Sequence, residues 1–155
     1  MTKIAIITDT DSSIPAEIAT SLDIVQVPIT IHFGESGYTT GLDIDDARLF
    51  EIIDRTKKLP TTAAPPPAAF EIAFREAFRQ GYQSAICVCV SSVVSGTYQA
   101  AVSARNQLPD KDITVIDSRQ ISLAQGLIVI HAARAAKAGK TKSEILAIID
   151  NMKDR

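Results

Sequence analysis

Lys3-Ile4-Ala5-Ile6-Ile7-Thr8 is a short, almost unbroken apolar run that ends in the polar cluster Asp9-Thr10-Asp11-Ser12-Ser13. The strict alternation of a strand with one wet face is missing. A short, uniformly apolar run that stops at a polar cluster reads as a strand buried on both faces, and such strands belong to parallel sheets. The signature returns at Ala85-Ile86-Cys87-Val88-Cys89-Val90, which leads into Ser91-Ser92-Val93-Val94-Ser95-Gly96-Thr97. A further strand reads at Ile113-Thr114-Val115-Ile116, closed by Asp117-Ser118. Parallel strands need crossover connections, usually helical, so helices are expected between them.

The intervening segments meet that demand. Ser12 or Ser13 is placed to cap a short helix over residues 16–22, with Pro15 suited to its first turn. Residues 24–33 read as a second strand whose Pro28 marks an edge or a bulge. After the turn Gly34-Glu35-Ser36-Gly37, residues 39–44 form a short strand or an extended loop. Asp45 or Asp43 then starts a helix bearing Ala47, Leu49, Phe50, Ile52 and Ile53. Four prolines lie in the eight residues Pro60–Pro67, which excludes both a helix interior and a central strand and leaves an extended, stiff loop. Residues 69–80 carry Phe70, Ile72, Ala73, Phe74 and Phe78 at helical spacing and stop at Gly81. A long helix is expected over residues 120–138, ended by Gly139. Thr141-Lys142-Ser143-Glu144 is a capping box for a last helix reaching Met152. The alternation of strand and helix predicts an α/β fold, a three-layer sandwich with a mostly parallel sheet flanked by helices, as one domain over residues 1–155.

Composition narrows the function. The chain has 155 residues, 46% hydrophobic and 22% charged, with a net charge of −2, enough for a single core and ordinary for a globular domain. Sixteen Lys+Arg against eighteen Asp+Glu make no electrostatic case for nucleic acid. No apolar run approaches the ~20 residues of a membrane span. The N-terminal segment lacks the layout of a signal peptide, so a cytoplasmic location is expected. Cys87 and Cys89 share one face of a strand at a spacing poor for a bridge, and read as reduced core thiols.

In sheets of this kind ligands bind beyond the carboxyl ends of the strands. Those ends are rich in hydroxyls here: Thr8-Asp9-Thr10, Ser91-Ser92, Ser95-Gly96-Thr97 and Asp117-Ser118. Ser95-Gly96-Thr97 at a helix start is the sharpest feature. Glycine permits close approach, the hydroxyls donate, and the free N–H groups favour an anion such as a carboxylate or phosphate. Plain capping by Ser95 is the alternative. No G-x-S-x-G elbow and no G-x-x-x-x-G-K-[ST] loop is present. His32 and His131 read as structural, and Asp9 and Asp11 as turn or cap residues. No nucleophile–base pair can be assembled, so the residues describe a binder of a small anionic head group, with no cofactor or metal required.

Four segments resemble the N-terminal half of the DegV family, in order and at the right spacing. They are Ile6-Ile7-Thr8-Asp9-Thr10-Asp11-Ser12-Ser13, Leu59-Pro60-Thr61-Thr62-Ala63-Ala64-Pro65, Ser91-Ser92-Val93-Val94-Ser95-Gly96-Thr97-Tyr98-Gln99 and Val115-Ile116-Asp117-Ser118. The resemblance implies a bacterial cytoplasmic protein that holds one long-chain fatty acid between two α/β domains. It also implies presentation of that fatty acid to a fatty acid kinase subunit, with no kinase activity of its own. By resemblance Thr62 and Ser95 contact the carboxylate, with Ser92 the second choice for the serine and Gly96 beside it. The family's Ser-Gln after that threonine is Ala63-Ala64 here. Family members are nearly twice this length, so the resemblance covers only their first domain, and an apolar face is expected where the C-terminal domain would sit. Such a face promotes self-association. Two other readings stand beside this one. One is an Mg²⁺-dependent nucleotide- or phosphate-binding enzyme domain using Asp9, Asp11 and Arg119. The other is an interaction module without ligand.

Overall fold

Strand β1 (Ile4–Asp9) is central because its side chains face apolar layers on both sides. Ile4 and Ile6 point to one layer, with Ile128, Val129, Ala132, Ile145 and Ile149. Ala5 and Ile7 point to the other, with Phe70, Phe74, Ala101 and Ala104. This double burial explains the nearly unbroken apolar run. The computed structural model describes residues 2–153. Strand β2 (Ile24–Val27) flanks β1 on one side and β6 (Ser84–Cys89) on the other. Strand β7 (Ile113–Asp117) pairs with β6. The order β2-β1-β6-β7 is parallel throughout. Helices α3 (Pro67–Arg79) and α4 (Thr97–Asn106) cover one face; α5 (Leu123–Lys137) and α6 (Lys142–Lys153) cover the other. The expected α/β three-layer sandwich is the observed one.

The stretch 24–33 is a correction. It is two strands, not one. β2 ends at Val27; after Pro28 and Ile29 the chain enters β3 (Thr30–Phe33), which belongs to a different sheet. Pro28 has no N–H to continue the ladder, so the chain leaves the parallel sheet there. β3 pairs antiparallel with β4 (Ser36–Thr39) and with β5 (Thr61–Ala63), giving a small sheet of order β4-β3-β5. The proline-rich loop therefore contains a short edge strand, permitted because Thr61–Ala63 themselves lack proline. The Thr10 hydroxyl joins the two sheets: it accepts the Ile29 N–H at 2.9 Å and pairs with the Thr40 hydroxyl at 2.6 Å.

Helix α5 begins at Leu123 rather than at residue 120, and neither Ser12 nor Ser13 caps the first helix. Asp9, not Ser12 or Ser13, caps the 3-10 turn Thr10–Ser12, and α1 (Ala16–Ser21) begins after Pro15 without a side-chain cap. Helix α2 (Asp46–Thr56) takes Asp45 as its cap, through Arg48 N–H at 2.8 Å, while Asp43 accepts the Thr39 N–H instead. The capping box at α6 forms as expected: Glu144 accepts from the Thr141 N–H and hydroxyl, and Thr141 Oγ1 accepts the Glu144 N–H.

Candidate functional site

The chain between β6 and α4 is anchored at three successive amides. Val90 N–H donates to Asp9 Oδ2 at 2.9 Å, Ser91 N–H to the Gln120 carbonyl at 2.9 Å, and Ser92 N–H to Asp117 Oδ1 at 3.2 Å. The turn then folds back on Ser91, whose carbonyl accepts the Val94 and Ser95 amides. The Ser95 hydroxyl lies 2.9 Å from that of Thr97 and accepts the Thr97 N–H at 3.2 Å. Ser95 is half-buried and Thr97 fully buried. Gly96 has an ordinary helical backbone, and a β-carbon built there meets open space. Room above the glycine, not a special dihedral, is what the position provides.

Ser92 is differently placed. Its hydroxyl donates to Asp117 Oδ2 at 2.5 Å. Partial burial pushes the Asp117 carboxyl up, but the hydrogen bonds from Ser92 and the Arg119 N–H and the charge of Arg119 hold it below its usual value. Arg119 itself is exposed and adopts a left-handed backbone. Thr62 sits exposed on β5, paired in register with Ile31, beyond the point where β2 leaves the parallel sheet. Thr62 thus belongs to the small sheet, whereas the Ser95 turn follows β6 of the parallel one. Ile31, Thr10 and Thr40 line a cavity of about 390 Å³ at the junction of the two sheets. A larger groove, about 570 Å³, lies along the outer edge of β2 between α1 and α3, lined by Val25, Pro28, Ala69, Ile72 and Ala73. None of Thr62, Ser92, Ser95 or Gly96 lines it.

Sequence reading missed Gln125. It lies in the first turn of α5, fully buried, and its Nε2 donates to Asp9 Oδ1 and Oδ2 at 3.1 and 3.2 Å and to Thr8 Oγ1 at 3.1 Å. Asp9 has the cap role expected of it, accepting the Asp11 N–H at 3.1 Å, and it is also fully buried. Burial raises its pKa to about 6, against the lowering effect of the Val90 and Gln125 hydrogen bonds, and the nearby Asp11 charge adds to the rise. Its oxygens all face N–H donors, so it is not presented to a cation or a phosphate-bound metal. The polar glutamine in an apolar helix was the available signal: residues 124–130 are otherwise Ala, Gly, Leu, Ile and Val. His32 sits half-buried on β3, and His131 lies exposed on α5.

Apolar side chains stand open beside the site. Val93 and Val94 are 89% and 62% exposed in the turn, and Ile121, Leu123 and Leu127 are exposed on the neighbouring loop and the start of α5. The Ser91–Gln120 bond ties these two loops together. Among the described residues, no helix is long and apolar enough to cross a membrane.

The sequence model described as "Uncharacterised protein, DegV family" matches residues 3–155. The chain belongs to the DegV family. A DegV domain-containing protein of Clostridium perfringens is 39% identical over 94% of this chain and 52% of its own length. One from Caldanaerobacter subterraneus is 37% identical over 96% and 52%. The chain spans about half the length of the curated relatives it matches. Among solved structures, DegV of Bacillus subtilis, described as a fatty acid binding protein, is 29% identical with a TM-score of 0.89, covering 99% of this chain and 55% of that one. A DegV family protein of Thermus thermophilus, described by its fatty acid binding, is 26% identical with a TM-score of 0.88, over 98% and 54%. A stearic acid-binding protein of Eubacterium ventriosum is 28% identical with a TM-score of 0.84, over 97% and 52%.

Proposed function

We propose that this DegV-family chain binds a long-chain fatty acid, carboxylate first, at the Ser95 turn and Thr62, and acts as a binding protein rather than a catalyst. The observation that carries this reading is the state of Ser95. Its oxygen already accepts the Thr97 N–H and lies 2.9 Å from the Thr97 hydroxyl, a pair in which either hydroxyl can be the donor; in this reading Thr97 donates and the Ser95 O–H turns to an incoming carboxylate. Ser92 has spent its hydroxyl on Asp117 and is the weaker candidate. Open space at Gly96 admits the head group against the helix start. The fatty-acid-binding descriptions of the Bacillus, Thermus and Eubacterium relatives support the ligand class.

An acyl chain left in water forgoes about 0.8 kcal/mol per CH₂, so retention needs a cover. The exposed Val93, Val94, Ile121, Leu123 and Leu127 suit that role's near side. In this reading a second α/β domain, as in longer relatives, or a second copy of the chain supplies the far side. The cell compartment proposed is the cytoplasm, and the consumer of the bound acid is a fatty acid kinase subunit that phosphorylates the carboxylate while this protein presents it.

A native mass spectrum of the purified chain before any delipidation tests the ligand. An adduct of fatty-acid mass is expected, and its stoichiometry tells a single chain from an enclosing dimer. An apo spectrum, with no oleate taken up on titration, overturns the reading for this chain.

A further inference from the structure

We propose that Asp9 and Gln125 are positioning residues for the Ser95 turn, the buried carboxylate drawing the Val90 amide onto β1 and Gln125 holding that carboxylate from α5. Every amide from Val93 to Ser95 bonds back to Ser91, so the place of Ser95 follows from the place of Ser91. Three consecutive amides fix that residue. Two of them, Ser91 and Ser92, are held from the β7 side, by Gln120 and Asp117. Val90 alone is held from the β1 side, by Asp9 Oδ2. Without it the turn is tethered to one neighbour only.

Gln125 is aimed chiefly at Asp9, with Thr8 and the Val88 carbonyl beside it. Its amide nitrogen reaches both carboxylate oxygens and Thr8 Oγ1, while its own Oε1 is buried without a hydrogen-bond partner among the described residues. That unmet acceptor is a cost which a space-filling leucine would not carry. The return is a donor aimed at a dry carboxylate whose other donors are the Val90 and Asp11 amides. The ionisable groups that face Asp9 are Asp11, in the turn that follows, and Cys89 of β6; β2 places Val27 opposite it, and α5 brings the neutral Gln125.

The affinity step of this inference rests on the fatty-acid reading; the anchoring step does not. The test therefore has a ligand-free arm and an oleate arm, both on the full chain. In ¹⁵N spectra without ligand, Asp9→Asn and Gln125→Leu are expected to move the Val90, Ser95 and Thr97 amide resonances. They should also speed Val90 amide exchange by about tenfold or more, while the interior amides of α4 and α6 stay in place. The paired swap Asp9→Asn with Gln125→Glu is expected to restore Val90 protection. In it the new side-chain amide oxygen accepts from Val90, while the NH₂ of the same amide donates to the carboxylate now carried by α5. In the native chain the Val90 amide shift should titrate near the Asp9 pKa of about 6, and in Asp9→Asn it should not. Oleate affinity should fall about tenfold in either single variant and recover in the swap. Unmoved Val90 and Ser95 amides overturn the anchoring. Moved amides with unchanged oleate affinity overturn the positioning role. A native chain that takes up no oleate defeats the fatty-acid reading and leaves the spectra to decide the anchoring. Gln125→Leu carries the same test if Asp9→Asn does not fold.

Discussion

Gly126 faces the backbone carbonyl of Ser12 so closely that a β-carbon on it would overlap the Ser12 oxygen. The first turn of α5 thus lies directly on the 3-10 turn after β1, which is what brings Gln125 within reach of Asp9. A methyl at this position meets backbone, which cannot rotate away. Gly126→Ala is expected to destabilise the fold by about 1–3 kcal/mol, read from the denaturant midpoint at constant slope. An unchanged midpoint would show that α5 slides off the turn at no cost.

Gly96 gives the opposite expectation. Its backbone is helical and its missing side chain faces open space. Gly96→Ala should leave stability within about 0.5 kcal/mol of the native value while reducing affinity for oleate, because the new methyl occupies the approach to the helix start. Equal affinity in both proteins would move the head group elsewhere on the rim.

The hydroxyls should separate in a binding titration. Ser95→Ala and Thr62→Ala are each expected to weaken oleate binding by about 1–3 kcal/mol. Ser92→Ala should cost less affinity, since its hydroxyl is already given to Asp117. If Ser92→Ala proves the most damaging of the three, the assignment of the serine is wrong.

Asp9 makes stability fall as pH rises. Its native pKa of about 6 lies above the ordinary 3.8, so the native state holds the proton more tightly than the unfolded chain. The contribution is complete below pH ~4 and is lost as pH rises through about 6, an upper bound of about 3 kcal/mol. Glu144 acts the other way: the Thr141 N–H and hydroxyl and Lys140 lower its pKa to about 2, so its contribution is lost only in stronger acid. Unfolding free energies of the native chain and Asp9→Asn, taken from pH 4 to pH 7, should therefore diverge across this window. Parallel curves would place the Asp9 pKa near its unperturbed value.

The open apolar side chains predict concentration-dependent association. Val94→Glu with Leu123→Glu is expected to shift the chain toward monomer in sedimentation velocity, with little change in melting temperature because both side chains are exposed. A native chain that is monomeric at all concentrations would leave this face without a partner copy.

The parallel sheet was legible because double burial writes itself into Ile4–Asp9 and Ser84–Cys89 as nearly unbroken apolar runs. The hydroxyl-rich rim was legible because it follows directly on those runs. The small sheet was not. Pro28 signals an interruption but not which way the chain turns after it, and β5 is only three exposed residues long, its pairing with β3 set by contacts about thirty residues away. Gln125 escaped for a related reason: its partner Asp9 lies 116 residues earlier, and spacing along the chain carries no trace of that contact.

Cys87 and Cys89 sit side by side in the middle of the sheet, sulfurs 3.7 Å apart and neither touched by solvent. The adjoining Cys87 sulfur and burial push the Cys89 thiol well up, away from the reactive thiolate. A thiol reagent reaches them only when the layer of α3 and α4 lifts from the sheet, an opening of a large part of the core. The molecule thus carries its own clock: the rate at which the two sulfurs become labelled counts openings of that layer, with no probe added to the rim.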